Sequence, residues 1–117
     1  GLNHLMMPVR HGEGRLVVPD DATLDRLEAG NLVTLSYADP QSGRPTMEYP
    51  ANPNGSPCAV AGIASADGRH LAMMPHLERA IFPWQWGYYP GNRKDDEISP
   101  WIEAFVNARK WVENIKK

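Results

Sequence analysis

The sequence predicts an α/β chain made mostly of β-hairpins with two helices, and three observations carry that expectation. Two apolar runs, Cys58 to Ala64 and Arg69 to Met74, are separated by Ser65-Ala66-Asp67-Gly68, and an Asp-Gly pair between such runs is a strong hairpin signal. An acidic stretch with leucines three apart, Asp20 to Gly30, reads as a short helix. From Ser99 onward, Trp101, Phe105, Ala108, Val112 and Ile115 fall on one stripe of a second helix.

Taken in order, residues 5–9 read as a short strand that leads into His11-Gly12-Glu13-Gly14, where two glycines permit a tight turn, and Arg15 to Val18 resumes as strand. The first helix carries acidic residues at its start and places Gly30 at the C′ position. Leu32 to Ala38 alternates apolar and polar residues, and Asp39-Pro40-Gln41-Ser42-Gly43 is turn chemistry, so this strand and Pro45 to Tyr49 form a second expected hairpin. Pro50 to Pro57 cannot be regular structure, since its prolines lack donors and Asn54-Gly55 favours positive φ. Cys58 is expected to begin the next strand. Phe82, Trp84, Trp86 and Tyr88 fall at alternate positions and would share one side of an extended segment. Ser99 is an N-cap, Pro100 sits at N1, and the stripe that follows is a packing face.

The 117 residues suffice for one small domain, with 42% apolar and 22% charged residues. A net charge of -2, with both signs scattered, gives no electrostatic reason to expect nucleic acid or an anionic membrane as a partner. Cys58 is the single cysteine, which allows no internal disulfide and points to a reducing, cytoplasmic setting. No apolar run is long enough to span a membrane, and residues 1–8 lack the pattern of a signal peptide.

The chemistry concentrates at Met73-Met74-Pro75-His76-Leu77-Glu78-Arg79. On extended backbone, positions two apart share a face at about 6–7 Å, so Glu78 can reach His76 and fix its tautomer while the other ring nitrogen acts as a general base. The same spacing also suits a plain surface ion pair. His4 and His70 read as surface histidines, and no His or Cys spacing supports a metal site. The aromatic series reads as an interface, because stacking on nucleic acid ordinarily comes with a basic groove.

Three motifs in order, His11-Gly12-Glu13-Gly14-Arg15, Tyr49-Pro50-Ala51-Asn52-Pro53-Asn54-Gly55-Ser56-Pro57 and the His76 stretch, resemble the glutaminase end of the phosphoribosylformylglycinamidine synthase family, which carries a class I glutamine amidotransferase domain. Ser99-Pro100-Trp101 and Asn107-Ala108-Arg109 are similar to that family's closing helix. The resemblance implies an α/β domain with a Cys-His-Glu triad that hydrolyses glutamine, with His76 and Glu78 as the catalytic pair. It implies that residues 1–117 are the C-terminal portion of such a domain, lacking the half that carries the nucleophile, since no Gly-x-Cys-x-Gly stretch is present. It implies glutamine as substrate and the rest of the synthetase as partner. The released ammonia would serve ATP-dependent amidation of formylglycinamide ribonucleotide, with ATP and magnesium confined to the synthetase part and no cofactor in this chain.

One departure is Leu77, where the family usually has proline. His11 is a substrate-side candidate in this frame, or an exposed turn histidine; Glu13 and Arg15 suit local or interdomain ion pairs. Cys58 could stand in for the nucleophile, or be a buried or partly buried inert thiol; it has no helix N-terminus behind it to stabilise a thiolate, which favours the inert thiol. A second reading makes the chain an inactive standalone module kept for binding or assembly through its aromatic segment. As an isolated fragment it would expose sheet edges and apolar surface, and homo-oligomers are expected.

Overall fold

A computed structural model describes residues 6, 7, 9 and 14–115. The chain divides into two units, Arg10–Met74 on one hand and Gly1–Val9 with Pro75–Lys117 on the other.

In the Arg10–Met74 unit, helix α1 (Asp21–Ala29) starts where Asp20 accepts hydrogen bonds from the Thr23 amide and hydroxyl, both at 2.7 Å. These bonds hold the Asp20 carboxyl below its usual pKa. The helix ends differently from expectation. Gly30 keeps a negative φ, and Asn31 takes the left-handed position at φ 53°. The Asn31 amide donates to the Glu28 carbonyl and the Leu32 amide to the Leu27 carbonyl, the bond pair of a Schellman motif with asparagine at C′. Asparagine tolerates this conformation better than most residues, which is why it can displace glycine from the role.

Strands β1 (Val33–Ser36), β2 (Val60–Ala64) and β3 (Leu71–Met73) form an antiparallel sheet in the order β1-β2-β3. The β2–β3 hairpin is the one its Asp-Gly turn predicts, with Gly68 at φ 70°. Ser65 and Arg69 both bond Asp67, and the Ser65 hydroxyl receives the His70 amide. Gly62 in the central strand is forced by packing: a Cβ there would lie 3.1 Å from Leu35 Cδ1 on one neighbour and 3.3 Å from Met73 Cβ on the other.

Among the described residues the expected strands are shorter or missing: Leu32–Ala38 and Arg69–Met74 keep only Val33–Ser36 and Leu71–Met73. Residues 14–18 form no strand. After the Asp39 turn, Pro45 makes only an isolated bridge to Ala38, and the chain leaves at Thr46, whose amide donates to the Tyr37 carbonyl. Pro45 and Pro50 cannot extend a ladder. β2 begins at Val60, not Cys58, because Cys58 (φ 49°, ψ 27°) and Ala59 (φ 59°) are both left-handed. They make two overlapping turns, Ala59 amide to Ser56 carbonyl and Val60 amide to Pro57 carbonyl.

The proline-rich loop is ordered by its own polar side chains. Asn52 is 2% exposed and Ser56 fully buried. The Asn52 amide donates to the Thr46 and Ser56 carbonyls and its oxygen accepts from the Ser56 amide. Ser56 Oγ donates to Asn54 Oδ1 and accepts the Leu16 amide at 3.1 Å. A buried side-chain amide with donors and acceptor all used does for this loop what a sheet ladder does elsewhere.

In the other unit, three short 3₁₀ turns (Leu77–Arg79, Pro83–Gln85, Gly91–Arg93) precede helix α2 (Ile102–Ile115). Among its described residues, Pro75, Ala80, Ser99 and Trp101 are buried and no residue of α2 itself is. The stripe expected to pack is therefore open beyond Trp101, with Phe105, Val112 and Ile115 all exposed. Nor do the aromatics line an extended segment: the turn at Pro83 stacks Phe82 on Trp84, rings 5.9 Å apart, while Trp86 meets Tyr89 edge-on. No helix among the described residues is long and apolar enough to cross a membrane.

Two substitutions test these constraints. Cys58→Asn, placing a residue tolerant of left-handed backbone at an exposed position, should stabilise the chain by about 0.5–1 kcal/mol in denaturant titration, while Cys58→Ala leaves it unchanged. Gly62→Ala should destabilise by about 1–3 kcal/mol, since the neighbours on both sides would have to give way.

Candidate functional site

The pair at His76 and Glu78 forms, though on a different backbone from the extended one that its spacing suggests. His76 (φ -108°, ψ 89°) leads directly into the 3₁₀ turn Leu77–Arg79. Within that turn His76 Nδ1 lies 2.7 Å from Glu78 Oε1, the imidazole half-buried and the carboxylate exposed. With the carboxylate accepting, Nδ1 carries the proton, and in the neutral ring Nε2 keeps its lone pair. The hydrogen bond from His76 is the leading cause that holds the Glu78 carboxyl below the usual range, with the Glu78 amide and then the charges of His76 and Arg79 adding to it. Arg79 Nε stands 4.0 Å from the same oxygen.

The turn is closed by the Arg79 amide on the His76 carbonyl and the Ala80 amide on the Leu77 carbonyl. Leu77 occupies the first position of the turn, and its own N–H is in neither bond. That is the position where proline fits a helical turn without loss. The turn is held from both ends. Pro75 is buried before it. After it, the carbonyl of buried Ala80 accepts both the Ser99 hydroxyl and the Trp86 indole N–H, the latter at 2.8 Å. Ser99 Oγ also accepts the Trp101 amide at the start of α2, and the Ser99 amide donates to the Ile81 carbonyl.

These supporting residues were not singled out as site residues from sequence. Ser99 was legible as a cap, but its second partner lies 19 positions away. Trp86 was visible only as one of a series; its inward turn depends on Pro83.

The other candidates separate. His11 lies outside the described residues, as do Glu13 and His4. Gly14 is buried, and the Leu16 bond to Ser56 brings the end of the first motif against the second. Cys58 is exposed in the Arg10–Met74 unit. Loss of surrounding water, then Glu28, with Asp25 and Asp21 further along α1, pushes its thiol pKa up, opposite to what a nucleophile needs. His70 sits exposed on its hairpin turn. Among the described residues no cluster of three or more His, Cys, Asp or Glu side chains could hold a metal ion.

The family model for CobB/CobQ-like glutamine amidotransferase domains matches residues 1–112. The chain belongs to this glutamine amidotransferase family. Curated relatives agree. The chain is 48% identical over 114 residues to human phosphoribosylformylglycinamidine synthase, covering 96% of this chain and 8% of that protein. It is 47% identical over 106 residues to a probable phosphoribosylformylglycinamidine synthase, chloroplastic/mitochondrial, of Arabidopsis thaliana, covering 89% and 8%. The Drosophila melanogaster phosphoribosylformylglycinamidine synthase is also 47% identical over 106 residues, covering 88% and 8%. The chain thus spans 8% of the length of these relatives. Its sheet of three antiparallel strands with two helices is consistent with an α/β fragment of such a domain.

The geometry of the pair has a direct spectroscopic consequence. In carbon-detected titration the Glu78 carboxyl should titrate below ordinary glutamates, and His76→Ala should move it back up. A carboxyl lowered on folding contributes stability above its ordinary pKa and loses it as pH falls, so the wild-type advantage over His76→Ala should shrink on acidification.

Proposed function

We propose that residues 1–117 are the base-bearing, C-terminal part of a class I glutamine amidotransferase domain in a phosphoribosylformylglycinamidine synthase. In that reading His76 and Glu78 are two members of a Cys-His-Glu triad. The observation that carries it is the 2.7 Å contact between His76 Nδ1 and Glu78 Oε1, which leaves Nε2 as the proton acceptor. Family membership and the names of the relatives support it.

The chemistry follows from the pair. A cysteine supplied by sequence outside this chain loses its proton to His76 Nε2, and its sulfur attacks the side-chain amide carbon of glutamine. The tetrahedral intermediate collapses to a thioester as the imidazolium returns the proton to the leaving nitrogen, releasing ammonia. Water, deprotonated by the same nitrogen, then hydrolyses the thioester to glutamate and regenerates the thiol. Glu78 keeps the ring in the tautomer that both steps use and favours the imidazolium between them. His11 is retained as a contact to glutamine, at the first motif. Ammonia passes to a synthetase part of the same enzyme for ATP-dependent amidation of formylglycinamide ribonucleotide in purine biosynthesis. ATP and magnesium belong to that part. The single cysteine fits a reducing setting, the cytoplasm.

A second reading, an inactive binding or assembly module, draws on the exposed Phe82–Trp84 stack, with Trp84 79% exposed. The two readings part in one assay of glutaminase activity on the polypeptide that includes the upstream sequence. The catalytic reading expects His76→Ala to lower kcat by about 10²–10⁴-fold and Cys58→Ala to leave it unchanged. Activity indifferent to His76 overturns it, and activity lost with Cys58 places the nucleophile inside this chain.

A further inference from the structure

The contact between His76 and Glu78 is internal to one short turn, so the two side chains move with it as one body. It sets which ring nitrogen carries the proton, but not where the other nitrogen points relative to a nucleophile carried by different sequence. A 3₁₀ turn of three residues is too short to hold a direction of its own. That direction is fixed where the turn leaves, at the carbonyl of Ala80, by the Ser99 hydroxyl and the Trp86 indole N–H. Ser99 has a second duty, since its oxygen also accepts the Trp101 amide ahead of α2. The Trp86 N–H, at 2.8 Å from the carbonyl, acts on the turn directly.

The ring that carries this N–H is itself held on two sides. The Trp86 amide donates to the Pro83 carbonyl at 3.1 Å, which closes the Pro83–Gln85 turn. Tyr89 meets the indole edge-on, with ring centroids 5.0 Å apart and planes at 88°, an arrangement that aromatic quadrupoles favour. Tyr89 is pinned in turn: its hydroxyl donates to Asp96 Oδ2 at 2.7 Å, and Arg93 Nε pairs with the same oxygen at 2.7 Å. The Tyr89 hydroxyl, then Arg93, hold the Asp96 carboxyl below its ordinary range, so it remains an ionised acceptor at neutral pH. Contacts therefore run without a break from Asp96 to Tyr89, to Trp86, to Ala80 and the turn.

We propose that Trp86 is a positioning residue for the general base: its indole N–H, aimed by Tyr89, holds the Ala80 carbonyl and with it the direction of His76 Nε2. The inference rests on the reading above, in which His76 is that base. Removing the N–H leaves His76 on Glu78 and frees the turn to swing as a body. A displacement of about 1 Å at a reacting atom costs on the order of 10²-fold in rate. The proposed glutamine contact lies at the first motif, so the loss falls on kcat and spares KM.

The test is a double-substitution cycle on glutaminase activity, in the polypeptide that includes the upstream sequence. Trp86→Phe keeps an aromatic ring and removes the N–H; it should lower kcat by about tenfold with KM within about twofold of wild type. In a His76→Ala background the same substitution should change kcat by less than about twofold, since no base is left to aim. A purely structural role gives the same factor in both backgrounds, because lost folded protein scales every activity alike. That result overturns the proposal, and so does an unchanged kcat in Trp86→Phe. Tyr89→Phe, which deletes only the hydroxyl on Asp96, is the second reporter should Trp86→Phe fail to fold. It should lower kcat by about two- to fivefold, again only where His76 is present; a wild-type kcat there overturns the proposal. Activity indifferent to His76→Ala removes the triad and the positioning role together, whereas His76-dependent activity with equal Trp86→Phe factors in both backgrounds removes the positioning role alone.

Discussion

A single carbonyl oxygen, that of Ala80, holds together the unit that carries the histidine and the glutamate. It is buried, and it accepts a hydroxyl from Ser99 and an indole N–H from Trp86. Two donors on one carbonyl fix the end of the His76–Arg79 turn against the start of α2 and the aromatic segment at once. A buried carbonyl left without partners is costly, so the arrangement is stable only with both neighbours in place. The short contact between His76 and Glu78 is local to the turn that Ala80 terminates.

Asn52 plays the corresponding part in the other unit. Its side chain links Thr46 and Ser56, and Ser56 passes the constraint to Leu16. Both units are thus organised around polar groups satisfied internally, in a chain whose prolines leave few donors for regular ladders. The price is local: Cys58 and Ala59 occupy left-handed backbone so that the loop can deliver Ser56 inward and still start β2 at Val60.

Much of this was legible from sequence where the signal is short-ranged. The Asp-Gly hairpin, the acidic start of the first helix and the pairing of His76 with Glu78 all depend on residues within a few positions of each other. What failed was longer-ranged or depended on competition between neighbours. Alternation of Phe82, Trp84, Trp86 and Tyr88 pointed to extended backbone, but Pro83 starts a turn and Trp86 has a carbonyl to reach. Residues 15–18 and 45–49 read as strands by pattern; prolines at 45 and 50 and the buried polar loop took the second of them elsewhere. The α2 stripe was read correctly as apolar, yet a pattern states that a face prefers cover without stating where the cover lies in sequence. For the candidate site, the pair was visible and its supports, Ser99 and Trp86, were not, because nothing in a spacing of two reveals what holds the turn from behind.

Leucine at position 77 acquires a different meaning from the shape of the turn. The bonds that close it run from the amides of residues 79 and 80, and position 77 contributes only its carbonyl. A pyrrolidine ring there would remove no bond, so leucine and proline differ mainly in how many conformations the unfolded chain can visit, a difference of about 0.4–1 kcal/mol. The histidine and its carboxylate are thereby insulated from variation at the residue that stands directly between them. Sequence change at that point tunes the breadth of the unfolded ensemble and leaves the contact between His76 and Glu78 alone.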